Sequence, residues 1–220
     1  MNDEPLVELV WITPNAEELI AKIARVSNPD NQKNPNYTKL LKYLIDHKHW
    51  SPYEMGSMCL SIHTSRRIAP QILRHKSFSF QEFSTRYAEV EGFVDVNPRS
   101  QDLKNRQSSH DNLSTEDKIW FQSLKRNLEQ DAMEIYKEGL NRGFSKETMA
   151  FVLPMSAKTH LYQSGTIRSW IHYIELRTDI ATQLEHRQIT EAAKTIFIKE
   201  LPNIAVAMNW TTESLVALDI

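Results

Sequence analysis

Residues 74–87 read RHKSFSFQEFSTRY: a basic triplet, three phenylalanines, one glutamate, a serine and a closing Arg-Tyr pair within fourteen residues. Serine and phenylalanine alternate with period two from Ser77 to Phe80, which puts the segment in extended conformation on a sheet. Widening the window to Met55–Ala88 collects five cations, Arg66, Arg67, Arg74, Lys76 and Arg86, against one carboxylate, Glu82. Such a segment suits an anion, because arginine's planar fork gives phosphate or carboxylate two parallel charge-assisted hydrogen bonds. Phe78, Phe80 and Phe83 are costly to leave in water, so they pack or stack on something flat.

The rest of the chain bounds what this stretch can serve. With 220 residues, 40% hydrophobic and 25% charged, the composition is that of an ordinary soluble protein with a sizeable core. A net charge of -2 gives no global pull towards nucleic acid or an anionic membrane, so anion binding must come from local clustering. Cys59 is the only cysteine, which excludes an intrachain disulfide and a multi-cysteine metal site and suits a reducing cytosol. The start MNDEPLVELVW is acidic where a signal peptide would be basic, and no apolar run approaches the ~18 to 20 residues that span a bilayer. These features give a cytoplasmic protein with no membrane partner.

Outward from the stretch, LVELVWI (6–12) reads as a first strand and NAEELIAKIARV as a helix behind Asn15 with two early glutamates. YTKLLKYLIDHK is a second helix, MGSMCLSIHTS (55–65) a strand, and SRRIAPQILRHK a helix with Pro70 in its first turn. The extended run from Ser77 continues into YAEVEGFVDVNP, and 98–114 is a polar, mobile connection. From Thr115 to Arg142, Trp120, Phe121, Leu124, Leu128, Met133, Ile135, Tyr136 and Leu140 mark one amphipathic helix, capped by Ser114 and stopped at Gly143. Shorter helices follow at 146–152, 166–178 and 183–200. Five glycines and no repeat leave no phosphate loop or dinucleotide fingerprint. The pattern is that of one α+β domain over 1–220, with helices packed on a small, mainly antiparallel sheet.

Two function classes fit. KSFSFQEF loosely follows the aromatic pattern with which RNA-recognition strands stack bases, although Ser77 and Gln81 stand where that pattern has a glycine and an apolar residue. The other class is an enzyme for a nucleotide or flat cofactor. Ser84 with His75 as base would make a catalytic pair, but no acid orients the histidine. His47, His49 and His63 lack the carboxylate or cysteine that would complete a metal site, so no metal is expected.

The stretch resembles the signature of the flavin-dependent thymidylate synthases, Arg-His-Arg, seven residues, then Ser: here Arg74, His75, Lys76 and then Ser84, flanked by Glu82, Arg86 and Tyr87. HWSPYE (49–54), Gln71 in QILRH, and GTIRSWIHYIELRTDIATQLEH (165–186), with Arg168, Arg177, Gln183 and Glu185, resemble further elements of that family, in order. The resemblance implies a homotetramer of the family's α+β fold with FAD bound and active sites shared between subunits. It implies conversion of dUMP to dTMP with 5,10-methylenetetrahydrofolate as carbon donor and NADPH as reductant, releasing tetrahydrofolate. A flavin route needs no thiolate, and Cys59 sits in the apolar run MCLSI with no adjacent base.

By that resemblance Arg177 is catalytic, stabilising the charge that develops on the uracil O2/N3 edge, a role worth ~3 kcal/mol. Its alternative is a surface pair with Glu175 or Asp179. Gln71, Arg74, Glu82, Ser84, Arg86 and Arg177 match the dUMP pocket. Ser51, Glu54, Arg74, His75, Lys76, Glu82, Thr166, Arg168 and His172 match positions around FAD, with His49 as a flavin or folate contact. Three residues depart from the pattern: Lys76 for arginine, His172 for asparagine, and Ala150 for an arginine that otherwise meets the nucleotide phosphate. Losing that charged hydrogen bond should cost ~1.5 to 3 kcal/mol, unless Arg86, Lys158 or a neighbouring subunit's arginine substitutes.

Overall fold

A computed structural model describes residues 6–210; the acidic start MNDEP lies outside the described residues, as do 211–220. In chain order the elements are β1 (Val7–Ile12), α1 (Ala16–Ala24), α2 (Thr38–Asp46), β2 (Ser57–Ser65), α3 (Ala69–Ile72), β3 (Phe78–Glu82), β4 (Ser100–Gln101), β5 (Ser109–His110), α4 (Thr115–Asn141), α5 (Lys146–Met149), β6 (Lys158–Thr166), α6 (Ile167–Arg177), α7 (Leu184–Glu200) and α8 (Pro202–Ala207). The fold is α+β. Helices cover a four-stranded sheet of order β1-β2-β6-β3, antiparallel at every pairing.

The sheet centres on β6, which the sequence reading passed over. Its inward positions include Thr159 and Gln163, both buried, while Tyr162 is exposed, so polarity does not track its two faces. β3 runs along it with Phe78 opposite Gly165 and Glu82 opposite Leu161. Gly165 is needed there: a Cβ would lie 2.4 Å from the Phe78 ring. Phe78 thereby reaches the core and meets Trp170 and Tyr173 of α6 edge-on, at centroid distances of 4.9 and 5.6 Å. Trp170 Nε1 donates to the Met58 carbonyl at 2.9 Å and fixes α6 on β2.

Several expectations need correction. Asn15 does precede α1, but with φ 49° and no side-chain cap. The buried Glu17 instead accepts from the Ile204 N–H at 2.8 Å and from Asn203 Nδ2 at 2.7 Å, so an early glutamate of α1 caps α8. Only Ala69–Ile72 of SRRIAPQILRHK is helical. YAEVEGFVDVNP does not extend β3; it contributes one bridge, Phe93 to Ala157. Residues 98–114 form a small hairpin rather than a bare connection, because Asp102 accepts from the N–H groups of Lys104 and Asn105 and pairs with His110.

α4 has its Ser114 cap, whose Oγ accepts from the Asp117 N–H, and its stop at Gly143 with φ 87°. Its apolar stripe faces largely outward. Ala132 and Tyr136 are buried, whereas Trp120 is 65% exposed and Leu124, Leu128 and Ile135 are exposed too.

Candidate active site

The turn between α3 and β3 gathers one group of the expected residues. Gln71 Nε2 donates to Gln183 Oε1 at 2.7 Å, and Gln183 Nε2 to Glu185 Oε2 at 2.8 Å, which joins α3 to the start of α7. Arg74 and Lys76 are exposed on either side of the half-buried His75. His75 Nε2 accepts from Arg177 Nε at 2.9 Å, so the residues 102 apart in sequence meet directly. Burial, aided by Arg177 and His172, pulls the His75 pKa down to about 4, so the imidazole is neutral.

Behind this pair lies a buried polar group. The Tyr173 ring stands edge-on to His75 at 4.8 Å, and its hydroxyl is 2.9 Å from His186 Nε2. Burial first, then the Arg177 charge, lowers His186 to about 3. His186 Nδ1 is buried without a partner among the described residues.

A second group lines a cleft of about 380 Å³ between α6 and the turn Ser51–Glu54: Trp50, Glu54, Ser77, Arg168, Ser169 and His172. Arg168 Nη1 and the Glu54 carboxylate are in direct contact. Ser51 is exposed beside it, His49 is exposed on the preceding turn, and the Thr166 hydroxyl accepts from the Ser169 N–H at 3.2 Å as the cap of α6.

The third group sits past the far end of β3. Glu82 Oε1 accepts from Arg66 Nη1 and from Thr159 Oγ1, each at 2.8 Å, and Arg66 Nη2 donates to the Phe83 carbonyl at 2.9 Å. Glu82 therefore takes up one of the five cations. Ser84 Oγ accepts from the Arg86 N–H, and Arg86 Nε donates to Glu147 Oε2 at 2.9 Å. Glu147 is one turn from Ala150, which closes α5, so Arg86 stands beside the helix that lacks the expected arginine.

The length of β3 separates the first group from the third. Five strand residues at about 3.3 Å per residue hold the two ends roughly 13 Å apart, so Arg177 stands at one end of the strand and Ser84 and Arg86 at the other. Sequence reading also missed Arg99, His186 and Arg187. Arg67, Arg99 and Arg187 line a polar pocket of about 280 Å³ that Gln183 and Glu185 also reach. Arg67 belongs to the cationic run read from the sequence, whereas Arg99 and Arg187 lie far from it and no local charge run announces them.

Two other readings lose ground here. Phe78 is buried and Phe80 packs against the core, so β3 offers no open row of rings for bases. Cys59 is buried, and burial pushes its thiol pKa up, against a bond from Ser164 that lowers it. A nucleophilic thiolate needs the opposite. Among the described residues no helix is long and apolar enough to cross a membrane.

Comparison with known proteins agrees with this architecture. Residues 8–203 match the family model described as thymidylate synthase complementing protein. The chain is 52% identical over 212 residues to a probable flavin-dependent thymidylate synthase of Paramecium bursaria Chlorella virus 1, covering 94% of this chain and 95% of the relative. It is 50% identical over 194 residues to the flavin-dependent thymidylate synthase of Synechocystis sp., covering 88% and 90%. Among solved structures it resembles the UMP/dUMP methylase PolB from Streptomyces cacaoi bound with 5-Br dUMP, with a TM-score of 0.82, 26% identity, and coverage of 92% of this chain and 94% of that one. From a match over most of its length and relatives at half identity, the chain belongs to the family of flavin-dependent thymidylate synthases.

Proposed function

We propose that residues 1–220 form one catalytic domain of a cytoplasmic homotetramer that methylates dUMP to dTMP, with 5,10-methylenetetrahydrofolate as carbon donor, NADPH as reductant and FAD as hydride carrier. The observation that carries the shared-site part is the roughly 13 Å of β3 between the two dUMP groups. In the proposed assembly Gln71, Arg74 and Arg177 of one subunit face Glu82, Ser84 and Arg86 of another. The outward stripe of Trp120, Leu124, Leu128 and Ile135 supports association, since a contiguous apolar face of this kind marks an interface.

The residues present fit a flavin dinucleotide. The 380 Å³ cleft offers Arg168 for a pyrophosphate and Trp50 for a flat ring, and its size suits part of a dinucleotide, the remainder falling to another subunit. Ser51, Glu54, Arg74, His75, Lys76, Glu82, Thr166 and His172 complete the proposed FAD contacts, and His49 reaches the flavin or folate. Bound FAD supplies hydride taken from NADPH. Arg177 holds the uracil O2/N3 edge and stabilises the negative charge that builds there as C5 becomes nucleophilic. Arg86, Arg74 and the Ser84 hydroxyl take the phosphate, while Gln71 and Glu82 bond the polar edges of sugar and base.

A flavin absorbance spectrum of the purified protein, with and without dUMP, tests cofactor and substrate together. Near-stoichiometric flavin that responds to dUMP is expected; a colourless protein that takes up no added FAD would sink the proposal. Mixing Arg177→Ala subunits with Arg86→Ala subunits tests the sharing, since mixed tetramers regain turnover only if the two arginines serve one site from different chains.

A further inference from the structure

We infer that His75 is the positioning residue for Arg177, holding its guanidinium through an uncharged acceptor so that the terminal nitrogens and the full positive charge are left for the uracil edge. The inference rests on Arg177 being the catalytic arginine. Three observations support it.

Arginine has donors only, so Nε2 of His75, 2.9 Å from Arg177 Nε, must be the acceptor. The ring proton then sits on Nδ1. With Nε engaged, neither Nη group has a hydrogen-bond partner among the described residues, and together they present the fork that binds a planar polar edge bidentately.

No carboxylate pairs with Arg177 among the described residues. Glu175 lines the cleft on the exposed side of α6, and Asp179 Oδ1 accepts from the Ala181 N–H at 2.8 Å. A carboxylate on Nε would fix the arginine equally well but offset the charge that the developing anion needs. A neutral imidazole orients it without that loss.

The imidazole is itself held. Tyr173 packs edge-on against it with an interplanar angle of 90°, and the Tyr173 hydroxyl is tied to His186. Both are fully buried in the core, so the ring that orients Arg177 is braced from behind. Burial and the adjacent guanidinium keep His75 unprotonated, which preserves the acceptor.

The experiment compares His75→Ala, His75→Gln and His75→Glu with the parent and with Arg177→Ala, each as flavin-loaded protein. It measures kcat, dUMP affinity by equilibrium dialysis, and flavin content. His75→Ala is expected to lower kcat at least thirtyfold when assayed with FAD at saturation. His75→Gln, whose amide oxygen accepts at the same reach, should recover at least tenfold of that loss. His75→Glu should stay as slow as the alanine variant despite its stronger hold on Arg177. If Arg177→Ala is inactive but His75→Ala keeps kcat within threefold, the inference falls while the catalytic assignment stands. If Arg177→Ala itself keeps kcat within threefold, the assignment falls first. Should the alanine variant fail to fold, the glutamine and glutamate pair decides: equal turnover overturns the role of neutrality. Independently, 15N spectra of histidine-labelled holoenzyme should show His75 as the Nδ1–H tautomer at pH 7, and an Nε2–H or imidazolium signal would refute the bond.

Discussion

Arg177 and Arg86 serve opposite ends of the proposed nucleotide site, and they are held in contrasting ways. Arg177 is part-buried, bonded to a neutral imidazole and braced by the core; Arg86 is exposed and paired with the carboxylate of Glu147. The first is preorganised, with its charge unspent. The second must exchange a carboxylate for a phosphate when the nucleotide arrives. Placement next to the reacting ring calls for fixed orientation, since stabilisation there depends on geometry set before the reaction. A phosphate anchor can be looser, because exposed pairs are weak and readily exchanged.

Breaking this contrast at its rigid end should have the largest effect. Arg177→Ala is expected to lower kcat about 10²- to 10³-fold with flavin binding intact, measured by steady-state dTMP formation. Strengthening the loose end comes next. Ala150→Arg restores a cation one turn from Glu147 and should tighten dUMP by ~1.5 to 3 kcal/mol, or roughly 10- to 100-fold in Kd; unchanged affinity would mean that Arg86 already fills that place.

Acid should loosen the braced end. His75 and His186 bind protons more weakly in the fold, at about 4 and about 3, than at their ordinary 6.5. The unfolded chain therefore holds more protons between these limits. Their contribution is complete above pH 6.5 and is lost as the pH falls, with about 2 kcal/mol gone by pH 5 from the fully buried His186 alone. Urea midpoints at pH 7.5 and 5 check this, and His186→Phe should flatten the difference. The smallest change is expected from Glu147→Gln, which frees Arg86: an exposed pair of this kind is worth ~0.2 to 1 kcal/mol, so dUMP should tighten by a factor of about 1.4 to 5 at low salt and hardly at all at high salt.

Much of the fold is legible in the sequence where apolar residues recur at strand or helix spacing between clear caps and turns. β1, α2, β2 and α4 read cleanly, down to the Ser114 cap and the Gly143 stop. β6 does not, although it is central, because Thr159 and Gln163 face inward and Tyr162 outward. The amphipathic stripe of α4 is legible as a stripe, yet nothing local tells whether the chain's own core or another subunit covers it. At the site, residue types were legible from the signature and pairings were not. Arg66 with Glu82, Arg86 with Glu147 and His75 with Arg177 depend on how β3, α5 and α6 are brought together, which no spacing encodes.

The capping of α8 by Glu17 has a consequence for synthesis. The carboxylate of Glu17 is buried at the start of the chain, and its partners, Asn203 and the Ile204 N–H, are made almost two hundred residues later. Thr38 also waits, since its hydroxyl donates to Asn203 Oδ1 at 2.7 Å. Until that segment leaves the ribosome, the first helix must keep a charged group in water that the finished protein encloses. α8, translated long after α1, thus completes the enclosure of Glu17, and a chain that stops before Asn203 leaves that carboxylate without its two partners.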